Sequence, residues 1–181
     1  MKIPASFAGQ QQVLIHSPKF SANGNENNKP IQFYDPNNSG AFNFLCNFYP
    51  RSIRLDGKTW PTVEHYFQAQ KFVQHPKASW VAELIRLCPD PSLIKKLANC
   101  REFRIFYPEN WHGKHKIELM KQALLAKFTQ HPDLRERLLS TQNRPLEELF
   151  DEEWGIGING KGKNLAGKLL MEVRNKLQEE K

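Results

Sequence analysis

TWPTVEHYFQAQKF, residues 59–72, is the stretch on which the reading of this chain turns. Pro61 followed by Thr62 marks a helix start, because the Thr62 hydroxyl can take up one of the first free amides. Behind it Glu64, Gln68 and Lys71 recur at intervals of four and three and share one helix face, while Tyr66, Phe67 and Phe72 supply aromatic bulk. A carboxylate in the first turn, ringed by aromatics and followed two turns later by a lysine, is equipped to handle a polar ligand. The same glutamate can also do no more than complement the helix dipole, worth ~0.3–1 kcal/mol at an exposed site. Taken alone, the segment favours that plainer role.

Upstream of this stretch the pattern is one of strands and turns. IQFY, from Ile31, alternates as a strand does before the turn signal DPNNSG; the aromatic-rich FNFLCNFYP ends at Pro50. RSIRL then leads into Asp56-Gly57, a pair suited to a tight hairpin turn with positive φ. The expectation is a small sheet over residues 31–60. Residues 1–30 read as a flexible N-terminal tail, since SANGNENNKP has no apolar period and cannot offset its ordering entropy. A short strand at Val13–Ile15 is a minor expectation within it.

Downstream, helices dominate. The helix from Val63 is expected to stop near His75, ahead of Pro76. Ser79 is read as the cap of WVAELIRLC and Ser92 as the start of SLIKKLANC. Ile117, Met120, Leu124 and Phe128 give a longer helix behind Trp111; DLRERLLS and PLEELF read as short helical pieces. NLAGKLLMEVRNKL closes the chain. The fold class is therefore α+β: a mostly helical single domain over residues 31–178 with a small N-terminal β-sheet.

Composition narrows the function. With 39% hydrophobic and 25% charged residues the chain is of ordinary globular make-up, and its apolar runs are too short to span a bilayer. MKIPASFAGQQQ lacks the basic cluster and apolar core of a signal peptide. Three cysteines, Cys46, Cys88 and Cys100, without CxxC spacing fit free thiols in the cytoplasm. A net charge of +7 suits phosphorylated or polyanionic partners, nucleic acid included. Lys95–Lys96 and Lys114–Lys116 read as solvated helix faces.

The remaining motifs divide by context. Gly155 to Gly160 spells GxGxxG, but LEELFDEEW before it is helix-prone and not a buried strand, so a dinucleotide fold is excluded. What is left is a glycine-rich loop whose amides, with Lys161 and Lys163, can hold a phosphate at the start of the last helix, or which is a plain surface loop. His112 and His115 lack the further ligands that zinc needs. Cys46 is read as a buried small hydrophobe. Trp80 is read as core, whereas Trp60, Trp111 and Trp154 stand at element boundaries, where an indole packs on a planar base or plugs a core edge. Glu147, Glu148, Asp151, Glu152 and Glu153 form an acidic cluster, most of it solvated. One of its members near Glu64 gives the paired acids of glycoside chemistry.

Asn47-Phe48, DGKTWPTVEHYFQAQKF at Asp56–Phe72, Asn110-Trp111, ALLAKFTQHPDLRERLLST at Ala123–Thr141, DEEWG at Asp151–Gly155 and GKGKNLAGKLLMEVR at Gly160–Arg174 follow in order over residues 31–176. In these segments the chain resembles the YbiA-like or NADAR family of N-glycosidases. Cys46 departs from the serine that relatives often carry there, and Ile156 from an acidic residue common after the Trp-Gly pair. The resemblance implies hydrolysis of the N-glycosidic bond between a base-like group and a phosphorylated ribose, as in reactive intermediates of riboflavin synthesis. Removal of ADP-ribose from guanine in nucleic acid is the alternative substrate class. A non-catalytic ADP-ribose or nucleic-acid binding module is the alternative of another kind. Carried over by position, Glu64, Trp111 and Asp151 are the catalytic candidates. Asn47, Phe48, Trp60, Lys71, Arg101, Glu148, Trp154, Gly155, Lys163 and Asn164 are the candidate substrate contacts, with Lys71, Arg101, Lys163 and the glycine-rich amides on phosphate. No metal or redox cofactor is required.

Overall fold

The computed structural model describes residues 28–34 and 40–180; the strand expected at 13–15 and most of the DPNNSG turn lie outside them. Ten regular elements follow one another: β1 (Ile31–Phe33), β2 (Ile53–Leu55), β3 (Lys58–Trp60), α1 (Val63–Ala69), α2 (Ser79–Leu87), α3 (Pro91–Ala98), α4 (Lys116–Gln130), α5 (Pro132–Leu139), β4 (Leu146–Glu148) and α6 (Leu165–Glu179). Short 3₁₀ turns at Asn43–Leu45 and Arg101–Phe106 and a π-turn at Trp111–His115 fill the connections. The class is α+β and mainly helical, as the residues predict.

The strands are arranged differently from the single sheet expected over 31–60. β2 and β3 pair antiparallel around Asp56 and Gly57, whose φ values of 52° and 72° are those the hairpin turn requires. β1 instead pairs in parallel with β4, Ile31 opposite Leu146 and Phe33 opposite Glu148. PLEELF is thus a strand and not a helix. Its Leu146 is buried, and edge pairing with β1 outweighs the local helix propensity of Leu-Glu-Glu-Leu. This pairing brings the acidic cluster back to the first described strand.

α1 lies at the centre, with all seven of its residues buried, and packs against α2, α3, α4 and β3. Burying polar residues requires partners for them. Thr62 caps the helix by accepting from the His65 amide at 3.3 Å. The His65 ring accounts for the rest: Nε2 donates to the Cys88 carbonyl at 2.8 Å, which leaves Nδ1 to accept from the Thr62 hydroxyl at 2.8 Å. Burial pushes this imidazole below its ordinary pKa and keeps it neutral. The α-helix ends at Ala69 rather than near His75. Beyond it the chain continues in tighter turns, Lys71 amide to Gln68 carbonyl and Phe72 amide to Ala69 carbonyl.

Two caps fall elsewhere than expected. Ser79 is the first residue of α2 and caps nothing; Asp90, accepting from the Ser92 and Leu93 amides, caps α3 with Pro91 in its first turn. Trp80, read as core, is 58% exposed. No helix among the described residues is long and apolar enough to cross a membrane.

Candidate active site

The site begins where α1 does. Glu64 is 4% exposed, its amide donates to the Asn47 carbonyl at 3.1 Å, and Gln68, one turn on, donates through Nε2 to Glu64 Oε1 at 2.7 Å. Burial raises the Glu64 pKa; the Gln68 hydrogen bond and the charges of Lys95 and Lys71 work against that rise. The shared face read from the sequence is therefore linked in the fold by a hydrogen bond and by charge. Asn47 and Phe48 approach Glu64 because their loop is pinned twice: Lys127 Nζ donates to the Cys46 carbonyl at 2.9 Å, and the Phe48 amide donates to Cys46 Sγ at 3.4 Å.

Glu148 ends β4, and Asp151 follows three residues beyond it. Burial, helped by the neighbouring Asp151 charge, pushes the Glu148 carboxyl up to about 7. Its Oε2 is buried without a hydrogen-bond partner, as is Gln68 Oε1. Asp151 is held firmly: Oδ1 accepts from the Glu153 and Trp154 amides at 2.9 and 2.8 Å, and Oδ2 stands 3.6 Å from Lys95 Nζ. Gly155 is required by contact. A Cβ there would overlap Glu148 Oε2 and the carbonyl oxygens of Glu148 and Asp151.

These side chains line two adjoining cavities. One, of about 360 Å³, is walled by Glu64, Glu148 and Asp151 together with Tyr34, Asn47, Phe48 and Phe150. The other, of about 430 Å³, is cationic, with Lys71, Lys95, Arg104 and Lys116 beside Tyr107 and Trp111. Phe67, Gln68, Lys95, Asp151 and Trp154 border both, so they form one two-lobed cleft.

In the cationic lobe Lys71 is buried and donates to Asn99 Oδ1 at 2.7 Å, with Tyr107 and Trp111 ring centroids 4.8 and 5.5 Å from its Nζ. Burial lowers this ammonium to about 8 despite the Glu64 charge. Lys116 donates to Glu153 Oε2 at 2.6 Å. Trp111 itself is 3% exposed, set against Phe67 (5.2 Å between centroids) and Tyr107 (5.9 Å). Little of its ring is left open to a ligand.

The cleft gathers Glu64, Asn47, Phe48, Lys71, Trp111, Glu148, Asp151 and Trp154. It does not gather the remaining five candidates. Trp60 is core, with its indole N–H on the Leu55 carbonyl. Arg101 is exposed outside both lobes, and Arg104, one 3₁₀ turn on, lines the cleft instead. Gly155 supports Glu148 from behind. Asn164 fixes β4, accepting from the Glu148 amide and donating to the Leu146 carbonyl. Lys163 faces solvent near Glu153.

The glycine-rich loop lines neither lobe and turns most of its amides onto its own chain. The amides of Gly155, Ile156, Gly157, Gly160, Gly162, Lys163, Asn164 and Leu165 all donate to backbone carbonyls of residues 148–157. Conversely, Lys95 and Lys116 are site residues that their surface-like spacing concealed. Among the described residues no cluster of His, Cys, Asp or Glu is arranged to hold a metal ion.

A model of the NADAR domain matches residues 32–178. The chain belongs to the NADAR domain family. It is 42% identical over 153 residues to N-glycosidase YbiA of Shigella flexneri, a match covering 83% of this chain and 90% of that protein. A riboflavin biosynthesis protein of Vibrio vulnificus is 35% identical over 168 residues, which is 92% of this chain and 43% of that longer protein. The fold matches the NMR structure of Escherichia coli YbiA with a TM-score of 0.71 at 41% identity, covering 84% and 87% of the two chains. Kinship of this extent to N-glycosidases makes this NADAR chain an enzyme of that class.

Proposed function

We propose that this NADAR enzyme hydrolyses the bond between C1′ of a phosphorylated ribose and the nitrogen of a base-like group, with ribosylaminopyrimidine phosphates of riboflavin synthesis as its substrates. One observation carries the reading: an aromatic lobe bearing three carboxylates opens directly onto a lobe with four cations. The cations Lys71, Lys95, Arg104 and Lys116 take the phosphate. The ribose then spans the shared wall, where Gln68 Oε1 is an acceptor for one of its hydroxyl groups. The riboflavin biosynthesis name of the Vibrio relative supports this choice of substrate.

The chemistry follows from the carboxylates. As the C1′–N bond breaks, its electron pair leaves with nitrogen and positive charge builds on C1′ and the ring oxygen. Glu64, held by Gln68, faces that charge and stabilises it. Its free oxygen takes a proton from the attacking water, whose oxygen bonds to C1′. Glu148, which burial holds near neutrality as a proton donor, supplies the proton that the leaving nitrogen needs. Asp151, fixed by two amides and Lys95, orients the ribose, and Trp111 helps to position the departing ring.

The test is Glu64→Gln, assayed by mass spectrometry for release of ribose phosphate. The expected loss is about a hundredfold or more, with substrate affinity retained. A wild-type rate in this variant removes Glu64 from the mechanism. Wild-type enzyme offered a ribosylaminopyrimidine phosphate and an ADP-ribosylated guanine in DNA side by side decides the substrate class; faster release from the second overturns our choice.

A further inference from the structure

Phe150 combines three properties that a residue serving only the fold has no cause to combine. Its φ is +74°, where a bulky side chain is an outlier. The Asp151 amide donates to the Leu149 carbonyl at 3.0 Å, making Phe150 the middle residue of a γ-turn in its rare, strained, positive-φ form. Its ring is nevertheless 55% exposed, so burial does not offset the strain. Glycine at this position would make the same turn without the steric cost. Strain of this kind, kept at the rim of a cleft, marks a functional position.

The ring meets that of Tyr34 edge to face, centroids 4.9 Å apart at 90°, and both side chains line the carboxylate lobe. Tyr34 is 39% exposed, whereas Phe33 and Phe67 of the same lobe are buried. Tyr34 and Phe150 therefore present the most open aromatic faces in that lobe.

We infer that Tyr34 and Phe150 form an aromatic clamp that holds the planar ring of the leaving group. The inference rests on the N-glycosidase site proposed above, because the clamp must hold a ring whose glycosidic bond lies at Glu64. The strained turn serves the clamp doubly: it holds Phe150 at the rim and turns Asp151, the next residue, into the wall shared by both lobes.

Binding constants measured by calorimetry on the full chain test this without any turnover. The probes are 5,6-diaminouracil for the base and ribose 5-phosphate for the other half. Phe150→Leu and Phe150→Gly are expected to weaken the pyrimidine about fivefold or more, the low end of what stacking on an aromatic ring contributes, and to leave ribose 5-phosphate within about twofold. An unchanged pyrimidine constant or an equal loss for both probes overturns the clamp. A wild-type enzyme that bound both probes but released no ribose phosphate would sink the proposed reaction instead, leaving the clamp to be judged on these constants.

Discussion

Lys127 is a fully buried ammonium on α4 that no carboxylate among the described residues pairs, and its replacement gives a quantitative prediction. Its Nζ donates to the Cys46 carbonyl and lies 5.4 Å from the ring centroids of Tyr49 and Phe128. Burial lowers its pKa from 10.5 to about 7, with the Arg137 and Arg51 charges adding to the fall and Cys46 opposing it. A base depressed in the folded state holds fewer protons than the unfolded chain between pH 7 and 10.5, so stability rises with pH across that window. At ~1.36 kcal/mol per unit, the shift amounts to about 5 kcal/mol in full, and to about 2.5 kcal/mol between pH 6.5 and 9. Above pH 9 the Cys46 thiol, pushed up to about 11 by burial, contributes the opposite slope, which sets the upper limit of the experiment. Lys127→Met keeps the length of the side chain and removes the titration. Urea unfolding followed by tryptophan fluorescence at pH 6.5 and 9 should show the wild type gaining about 2.5 kcal/mol more than the variant. Parallel pH dependences for the two proteins would refute the reasoning.

Two further predictions concern the carboxylates. If Glu148 donates the proton to the leaving nitrogen, kcat/KM holds below about pH 7 and falls tenfold per unit above it, since the active form is the protonated one. A Glu148→Gln variant that kept this descending limb would exclude Glu148 as its source. Gly155→Ala drives a methyl group into the Glu148 carboxylate and two carbonyl oxygens. It should lower kcat by more than tenfold and displace the limb, and an unaltered pH–rate profile would show that Glu148 tolerates the intrusion.

What the sequence carried well was local. Glu64 and Gln68 lie one turn apart on one helix with Thr62 as its cap, so their spacing fixed their shared face before any tertiary contact was known. The Asp56-Gly57 turn was legible for the same reason. What it hid was set at a distance. Leu146–Glu148 has the composition of a helix and becomes a strand because Ile31–Phe33 is there to receive it. Lys95 and Lys96 are adjacent lysines on one helix, and only the position of Asp151 decides that Lys95 enters the cleft. The GKGKN loop misled in the other direction: its glycines permit close backbone approach, and the partner they approach is the protein's own chain rather than an anion. Trp80 at the start of α2 and Phe150 after β4 are apolar residues left in solvent, and neither periodicity nor propensity foretells that.

The bond between the first and fourth strands also sets a timetable. Ile31 waits for Leu146, a partner made 115 residues later, and at about 5–20 residues per second that is an interval of roughly 6–23 s on the ribosome. Until then Glu64 can sit in its helix while Glu148 and Asp151 do not yet exist beside it. On the proposed mechanism, reactive capacity is thus withheld from the nascent polypeptide until the segment that carries Glu148 and Asp151 has been made and paired with the first strand.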